Sequence, residues 1–203
     1  MIEEIMGVKV AETEYPVIDL LKNRWSPRAF SSDPIEEEKI ISLFEAARWA
    51  PSCFNDQPWS FIIFKNENRE EFEKIIEILS PRNQLWAKNA PLIMLSVARI
   101  NFERNGKLNR HAFHDVGSAV TNLTLQATAM DLYVHQMAGF DAEKAKVLFN
   151  IPEGFEPVAA IAIGYYGNQD DLSEEFIKSE NSKRNRRPID DFVYVGEWNK
   201  NFR

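Results

Sequence analysis

Residues 50–64 are the part of the sequence that most limits how the chain can fold. Pro51 disfavours helical geometry at the residue before it, so a preceding helix must end near Ala50. Residues 60–65 are predicted to form a buried β-strand, because four of them in a row are aromatic or β-branched. Polar side chains fill the interval between these elements. Such a junction can be an ordinary connection between two elements. It can also position groups that bind a ligand, because rigid elements hold it on both sides.

Helices and strands follow one another along the chain without a regular strand–helix–strand alternation. Capping and apolar periodicity predict helices over residues 15–23, 33–50, 68–79, 113–130 and 141–149, with residues 80–83 ending the third of them. Apolar runs predict strands at residues 60–65, 92–98, 132–137 and 158–163. This mixture indicates an α+β fold rather than a doubly wound parallel sheet.

Length and composition set the broad class of protein. The 203 residues, of which 44% are hydrophobic and 27% charged, are predicted to form a single domain over residues 1–203. No apolar run approaches the 18 residues or so of a membrane span, and the N-terminus does not resemble a signal peptide. A single cysteine excludes an internal disulfide, so we expect a cytoplasmic protein. The net charge of −7 disfavours binding to nucleic acid.

Two basic segments lie near opposite ends of the chain. Arg24 and Arg28 flank Ser26, and residues 183–187 contain four basic side chains. Guanidinium groups bind phosphate oxygens two at a time, and a serine hydroxyl adds a further donor. The alternatives are surface salt bridges with the abundant acidic residues and, for residues 183–187, a nucleic-acid patch that the brevity of the segment disfavours.

Two motifs carry a resemblance to the FMN-dependent nitroreductase family. Residues 51–59 match the pattern P-S-x-x-N-x-Q-P-W at six positions. Residues 24–30 match R-x-S-x-[RK]-x-F at Arg24, Ser26, Arg28 and Phe30. The resemblance covers about residues 17–195.

The resemblance implies a nitroreductase-like fold, with a central, mostly antiparallel sheet flanked by helices, in an obligate homodimer whose sites lie at the subunit interface. It also implies that FMN receives electrons from NADH or NADPH and passes them to a nitroaromatic, a quinone or a related small acceptor by a ping-pong mechanism. The alternatives are another flavin reaction on the same scaffold, such as dehalogenation or desaturation, and a non-catalytic flavin-binding module.

The family pattern further implies which residues contact the cofactor. The phosphate would be bound by Arg24, Ser26, Arg184 and Arg186. Trp25 would be a further cofactor-binding residue. Arg28 would stabilise the negative charge that a reduced flavin carries near N1 and O2. Asn83 would reach the pyrimidine edge of the ring, and the backbone of Met137, Ala138 and Gly139 would approach N5. Four residues would face the flavin of the other subunit: Pro51, Ser52, Cys53 and Asn55.

No side chain is assigned a catalytic role, because the flavin carries the chemistry. Ala138 stands where some family members have a glutamate, and Asp131 stands where a glycine is common. Cys53 could be a nucleophile, but the sequence shows no base that would activate it. A cysteine that is simply packed against its neighbours is the alternative. The histidines show no metal-binding pattern.

Two further segments have predicted roles. Residues 99–110 are predicted to form a rim or lid over the site. The aromatic tail at residues 189–203 is expected to pack on the body or on a partner subunit.

Overall fold

Every strand of the central sheet pairs antiparallel with its neighbours. The structure, a computed structural model of the chain, describes residues 7–202. The four strands are β1 (Trp59–Lys65), β2 (Leu92–Arg99), β3 (Tyr133–Met137) and β4 (Phe155–Gly164). Their order in the sheet is β1-β2-β4-β3. The α+β architecture predicted from the sequence is confirmed.

Helices cover both faces of this sheet. They are α1 (Asp19–Asn23), α2 (Glu37–Arg48), α3 (Arg69–Ile78), α4 (Pro81–Ala87), α5 (Ala112–Ala129), α6 (Ala142–Leu148) and α7 (Glu174–Glu180). Short 3-10 turns lie at Cys53–Asn55, Gln169–Asp171 and Ile189–Asp191. Within residues 7–202, none of the helices combines the length and the apolar character needed to cross a membrane.

The alternation of side chains along β2 divides the interior into two cores. Ile93 and Leu95 pack with Trp86 of α4 on one face, whereas Leu92 and Met94 pack with α2 and α5 on the other. Because both faces are covered, all of β2 except its last residue is buried. A continuous apolar strand is therefore the expected sequence pattern at this position.

The helical regions differ from the prediction in three places. The first helix begins at Asp19 rather than at residue 15. The next begins at Glu37, because Asp33 accepts a hydrogen bond from the Ser31 hydroxyl at 2.6 Å instead of capping the helix. α3 ends at Ile78, just before residues 80–83 as predicted, but a further helix that the prediction lacked, α4, begins at Pro81, where the missing N–H of proline costs nothing.

Other local predictions are confirmed. The Asp141 carboxylate accepts a hydrogen bond from the Lys144 N–H at 2.9 Å and so caps α6. Asp131 and Asn150 adopt the left-handed backbone conformation, with φ of 58° and 51°, just after α5 and α6. Short polar side chains tolerate this geometry better than most residues do.

The tail keeps most of its aromatic surface exposed in the single chain. Trp198 is 81% exposed and Phe202 is 58% exposed, and their nearest aromatic contact is between Trp198 and Tyr194, with ring centroids 5.0 Å apart. The body of the same chain therefore does not cover these two rings. Packing on a partner subunit stays a prediction.

Candidate functional site

Residues 29–31 and 165–167 form a short antiparallel contact that brings the two basic segments together. Ser31 N–H donates to the Tyr165 carbonyl at 3.0 Å, and Gly167 N–H donates to the Ala29 carbonyl at 2.9 Å. A Cβ at Gly167 would lie 2.4 Å from the carbonyl carbon of Phe30, so this approach requires glycine. The contact places the segment that precedes Ala29 beside α7 and the residues that follow it.

A cavity of about 190 Å³ lies where these segments meet. It is lined by Lys9, Arg24, Trp25, Ser26, Arg28, Ser179, Glu180, Arg184 and Arg186. We call this the anion cavity. It contains every residue that the sequence assigned to phosphate binding.

Three guanidinium groups in the anion cavity have no acidic partner within the part of the chain that the structure describes. Among the ion pairs of residues 7–202, none includes Arg24, Arg184 or Arg186. Burial and the positive charges of the other two lower the pKa of Arg24, and burial together with Arg186 lowers the pKa of Arg184. Converging cations that repel one another create a strong local preference for an anion. The alternative of surface salt bridges therefore finds no support for these arginines within residues 7–202.

Arg184 also holds the backbone together. One of its terminal nitrogens, Nη1, donates to the Lys9 carbonyl at 3.0 Å and to the Lys22 carbonyl at 2.8 Å. Arg24 Nη1 contacts the Ser26 hydroxyl at 3.3 Å. The cavity wall is thus fixed by hydrogen bonds between segments that are distant in the sequence, which favours a preformed site.

Glu180 is a buried carboxylate at the back of the cavity. It is 1% exposed and accepts a hydrogen bond from the Arg28 N–H at 3.1 Å. Burial raises the pKa of Glu180, and the nearby charges of Arg28 and Lys9 oppose this effect. The Arg28 side chain donates to the Ser179 hydroxyl at 3.1 Å, and its guanidinium lies 5.4 Å from the Phe176 ring centroid.

Asn83 and the segment after β3 form a second part of the site. The Asn83 side-chain amide donates to the Gly139 carbonyl at 3.1 Å. A Cβ at Gly139 would lie 2.9 Å from both Asn83 Nδ2 and Ser80 Oγ, so the small residue permits this close packing. Met137 is buried and Ala138 is exposed. The structure therefore brings Asn83 together with residues 137–139. Their contact with a flavin ring, which the resemblance implies, stays a prediction.

His135 links this second part to the anion cavity. Its Nδ1 lies 2.7 Å from the Pro27 carbonyl, and its ring centroid lies 4.5 Å from that of Trp86. A carbonyl can only accept, so Nδ1 carries the proton. Burial lowers the pKa of His135 to about 4, which keeps the ring neutral at pH 7.

The buried neutral state of His135 predicts a loss of stability in mild acid. Because the folded pKa is about 4 and the unfolded pKa is 6.5, the unfolded chain takes up the proton first as the pH falls through this window. Between pH 7 and pH 5 this group alone should lower the free energy of unfolding by about 2 kcal/mol. Denaturant titrations at both pH values should show a smaller loss for His135→Gln, whereas the exposed His114→Gln should behave as wild type. Equal losses in all three proteins would contradict this assignment.

The signature loop, residues 51–57, lies outside the anion cavity of its own chain. Phe54, Asn55 and Gln57 all have positive φ, between 48° and 56°. The loop is held by the Cys53 N–H, which donates to the buried carboxylate of Asp115 at 3.0 Å. None of Pro51, Ser52, Cys53 and Asn55 lines the anion cavity of the same chain. Their approach to a partner's flavin stays a prediction.

Residues 99–110 are fastened to the signature loop. The Asp56 side chain, 5% exposed, accepts from Arg99 Nη2 at 3.2 Å and from the Glu103 N–H at 3.1 Å. The Arg104 guanidinium lies 3.8 Å from the Phe54 ring centroid. This segment therefore forms a turn packed on the loop, and its role as a rim or lid stays a prediction.

Sequence reasoning missed three residues that line the anion cavity. Lys9 is an isolated lysine in the sequence, and Ser179 and Glu180 end an ordinary amphipathic helix. None of them belongs to a motif, so only the tertiary structure shows that they lie beside Arg28 and Arg184.

A larger cavity, of about 640 Å³, shares Arg184 and Arg186 with the anion cavity. It lies between residues 11–17 and residues 184–192. It contains none of the other residues predicted to contact a cofactor. Because chemistry rather than volume identifies a site, we place the candidate site at the smaller cavity.

The fold and the anion cavity together define a class of protein: an α+β protein with one antiparallel sheet and a cavity lined by basic segments from both ends of the chain. The profile of the nitroreductase family matches residues 21–89 and 78–165. The chain belongs to this family.

Relatives and solved structures agree with this assignment. A putative NADH dehydrogenase/NAD(P)H nitroreductase of Methanothermobacter thermautotrophicus is 29% identical over 153 residues, which cover 73% of this chain and 76% of the relative. A crystal structure described as an oxidoreductase containing FMN superposes with a TM-score of 0.87 at 32% identity, covering 95% of this chain and 98% of the other. Iodotyrosine deiodinase 1 of Sus scrofa is 27% identical over 58% of this chain and 52% of its own length.

Proposed function

We propose that the protein is a homodimeric FMN-dependent oxidoreductase that takes electrons from NADH or NADPH and passes them to a small acceptor by a ping-pong mechanism. Nitroaromatics and quinones are the acceptor classes that we propose. The observation that carries the proposal is the convergence of Arg24, Arg184 and Arg186 on one cavity, with no acidic partner among the described residues. The FMN in the similar crystal structure and the name of the archaeal relative support it.

The residues present fit a phosphate monoester. A cavity of about 190 Å³ is large enough for a phosphate group with part of its attached chain, but not for a flavin ring. The indole Nε1 of Trp25 is buried and has no acceptor among the described residues, so it can donate to a ligand. Arg24, Ser26, Arg184 and Arg186 would hold the phosphate. The ring would extend toward Asn83 and residues 137–139.

Bound FMN supplies hydride and electron transfer, and this chain supplies position and charge. Arg28 places a fixed cation between the anion cavity and Trp86. Gly139 has no Cβ, so its backbone packs closely against Asn83 and Ser80, which holds this part of the site in place. Hydrogen bonds to Ser179 and Gly139 hold Arg28 and Asn83 in place, which reduces the reorganisation that ligand binding requires.

Anaerobic mixing tests the proposal. The purified protein, reconstituted with FMN, should lose its yellow absorbance when NADH or NADPH is added and regain it when a nitroaromatic or a quinone follows. A protein that binds FMN but is not bleached by either nucleotide is a flavin-binding module rather than an oxidoreductase. A protein that binds no FMN rules out the proposal. Steady-state kinetics with each nucleotide would then identify the preferred donor.

Reductive dehalogenation is the second candidate function, and its support is the similarity to iodotyrosine deiodinase. The chain spans about half the length of that relative. The two candidates separate in one assay: the reduced holoprotein is given either a nitroaromatic or a halogenated phenol. Release of halide, in place of reduction of the nitro group, would favour dehalogenation.

A second copy of this chain is the proposed partner. Large apolar side chains are exposed just before α1, on α2 and just after α2, where Ile18, Ile41 and Trp49 are 60%, 60% and 74% exposed. Exposed apolar residues of this size, together with the aromatic tail, are typical of an interface. Light scattering on the purified holoprotein should give the mass of two chains.

Loss of the Arg28 charge should change the redox potential of the bound flavin. We expect Arg28→Ala to weaken binding of reduced flavin more than binding of oxidised flavin, because a fixed cation favours the anionic reduced form. A spectroscopic redox titration should therefore show a lower midpoint potential. Arg82→Ala is the matched control, since Arg82 also lies over Phe176 but does not line the anion cavity. An unchanged potential in Arg28→Ala would count against this role.

A further inference from the structure

Lys9 is a buried lysine on the wall of the anion cavity that the proposed function does not use. It is 6% exposed, and its ammonium group donates to the carbonyls of Ser179 and Ser182 at 2.8 and 2.6 Å. The ammonium also lies 5.0 Å from the Trp25 ring centroid. Burial lowers the pKa of Lys9, and the negative charge of Glu180 opposes this effect. A buried charge with this many partners is costly to remove.

Lys9 contacts the C-terminal basic segment through both its side chain and its backbone. Its side chain binds the end of α7, from which the chain continues to Arg184 and Arg186. Its backbone carbonyl in turn accepts a hydrogen bond from Arg184 Nη1 at 3.0 Å. Lys9 and Arg184 therefore fix each other across the cavity wall.

Residues 7–11 are tied to the other basic segment as well. We call these residues the N-terminal clasp. Ala11 N–H donates to the Lys22 carbonyl at 3.0 Å, and the same carbonyl accepts from Arg184. The clasp is thus held by both segments that supply the predicted phosphate ligands.

We infer that Lys9 is a positioning residue for the phosphate of the cofactor, and that phosphate binding and docking of the N-terminal clasp stabilise each other. Lys9 holds residues 179–184 so that Arg184 and Arg186 face the cavity, and its charge offsets that of Glu180. Without it, the carboxylate would repel an incoming phosphate more strongly. The inference rests on the proposed function only for the identity of the phosphate compound.

Comparing the affinities for FMN and riboflavin shows how much of the effect of Lys9 on binding depends on the phosphate group. We expect Lys9→Met to weaken FMN binding to the apoprotein about tenfold or more, since a hydrogen-bonded charge is lost. Riboflavin binding should change less than about twofold, because riboflavin lacks the phosphate. Lys9→Arg, which keeps the charge, should restore part of the FMN affinity.

Lys183→Met is the matched control. It removes the same charge from the residue that follows Ser182, a contact of Lys9, but Lys183 is exposed and pairs with Glu12 outside the anion cavity. We expect its FMN affinity to stay within about threefold of wild type. A loss in Lys183→Met as large as that in Lys9→Met would show a general charge effect and overturn the inference.

Hydrogen exchange on the wild-type holoprotein provides a test that does not depend on the folding of a variant. FMN and inorganic phosphate should each slow exchange of the Ala11 amide, whereas riboflavin should not. Equal slowing by riboflavin, or none by FMN, would overturn the linkage, as would equal losses of FMN and riboflavin affinity in Lys9→Met. If wild-type protein binds FMN no better than riboflavin, the proposed phosphate site itself is wrong. If it prefers FMN and Lys9→Met is unchanged, only the present inference fails.

Discussion

Replacing Arg24 and Arg186 together by methionine should lower the affinity of the apoprotein for FMN by a factor of about 10² to 10⁴. Each charge-assisted hydrogen bond to a phosphate contributes about 1.5–3 kcal/mol, and two are removed. Both arginines line the anion cavity, and neither has an acidic partner among the described residues whose loss would disturb the fold. Relief of the mutual repulsion of the guanidinium groups should keep the variant folded or stabilise it slightly.

Fluorescence titration with FMN and with riboflavin measures this effect. Riboflavin affinity should be nearly unchanged, and the affinity for FMN should lose most of its dependence on salt. Arg187→Met is the matched control, because Arg187 lies 5.3 Å from the Phe192 ring centroid and lines the larger cavity instead. If the double variant binds FMN as tightly as Arg187→Met does, the phosphate is bound elsewhere.

Gly167→Ala should lower the free energy of unfolding by about 3 kcal/mol and weaken FMN binding at the same time. The added methyl group would lie 2.4–2.5 Å from backbone atoms of Phe30 and Ser31, which cannot move aside as a flexible side chain could. The contact between residues 29–31 and 165–167 would have to open. The segment that carries Arg24 and Arg28 would then separate from α7, so stability and affinity should fall together.

Gly117→Ala separates this effect from the general effect of adding a methyl group. Gly117 lies inside α5, and a Cβ there would meet no atom of the same chain within 4 Å. Alanine in a helix interior should raise stability by about 0.5–1 kcal/mol. Thermal unfolding of both variants, with and without FMN, gives the comparison. A Gly167→Ala protein with the stability of wild type would show that the two segments are held together by other contacts.

The secondary structure could largely be predicted from the sequence, because it depends on local preferences and on the side of each element that is buried. The apolar run of β2 and the wide apolar surface of α5 both gave the correct elements. The errors lie at element boundaries. Asp33 has the chemistry of a helix cap, yet its carboxylate accepts a hydrogen bond from the Ser31 hydroxyl. The sequence pattern alone cannot decide whether such a carboxylate binds the helix N-terminus or a neighbouring side chain.

The motifs also identified the predicted phosphate ligands, but not how the chain would bring them together. Arg24 and Arg184 have suitable chemistry wherever they lie. Their convergence depends on Gly167, which lies in neither motif and lets two backbones approach more closely than a Cβ allows. Asn83 and Gly139 show the same dependence, since their contact requires α4 to pack beside the end of β3.

By itself, the sequence determined the α+β class, the position of most helices and strands, and the residue types able to bind a phosphate. Only the tertiary structure decided that Lys9 and Glu180 lie beside those residues, and that the signature loop is fastened to Arg99 and Asp115 instead of lining the same cavity. The physical reason is that a local pattern records backbone preference and burial, whereas contacts between distant segments depend on how closely the packed elements can approach one another.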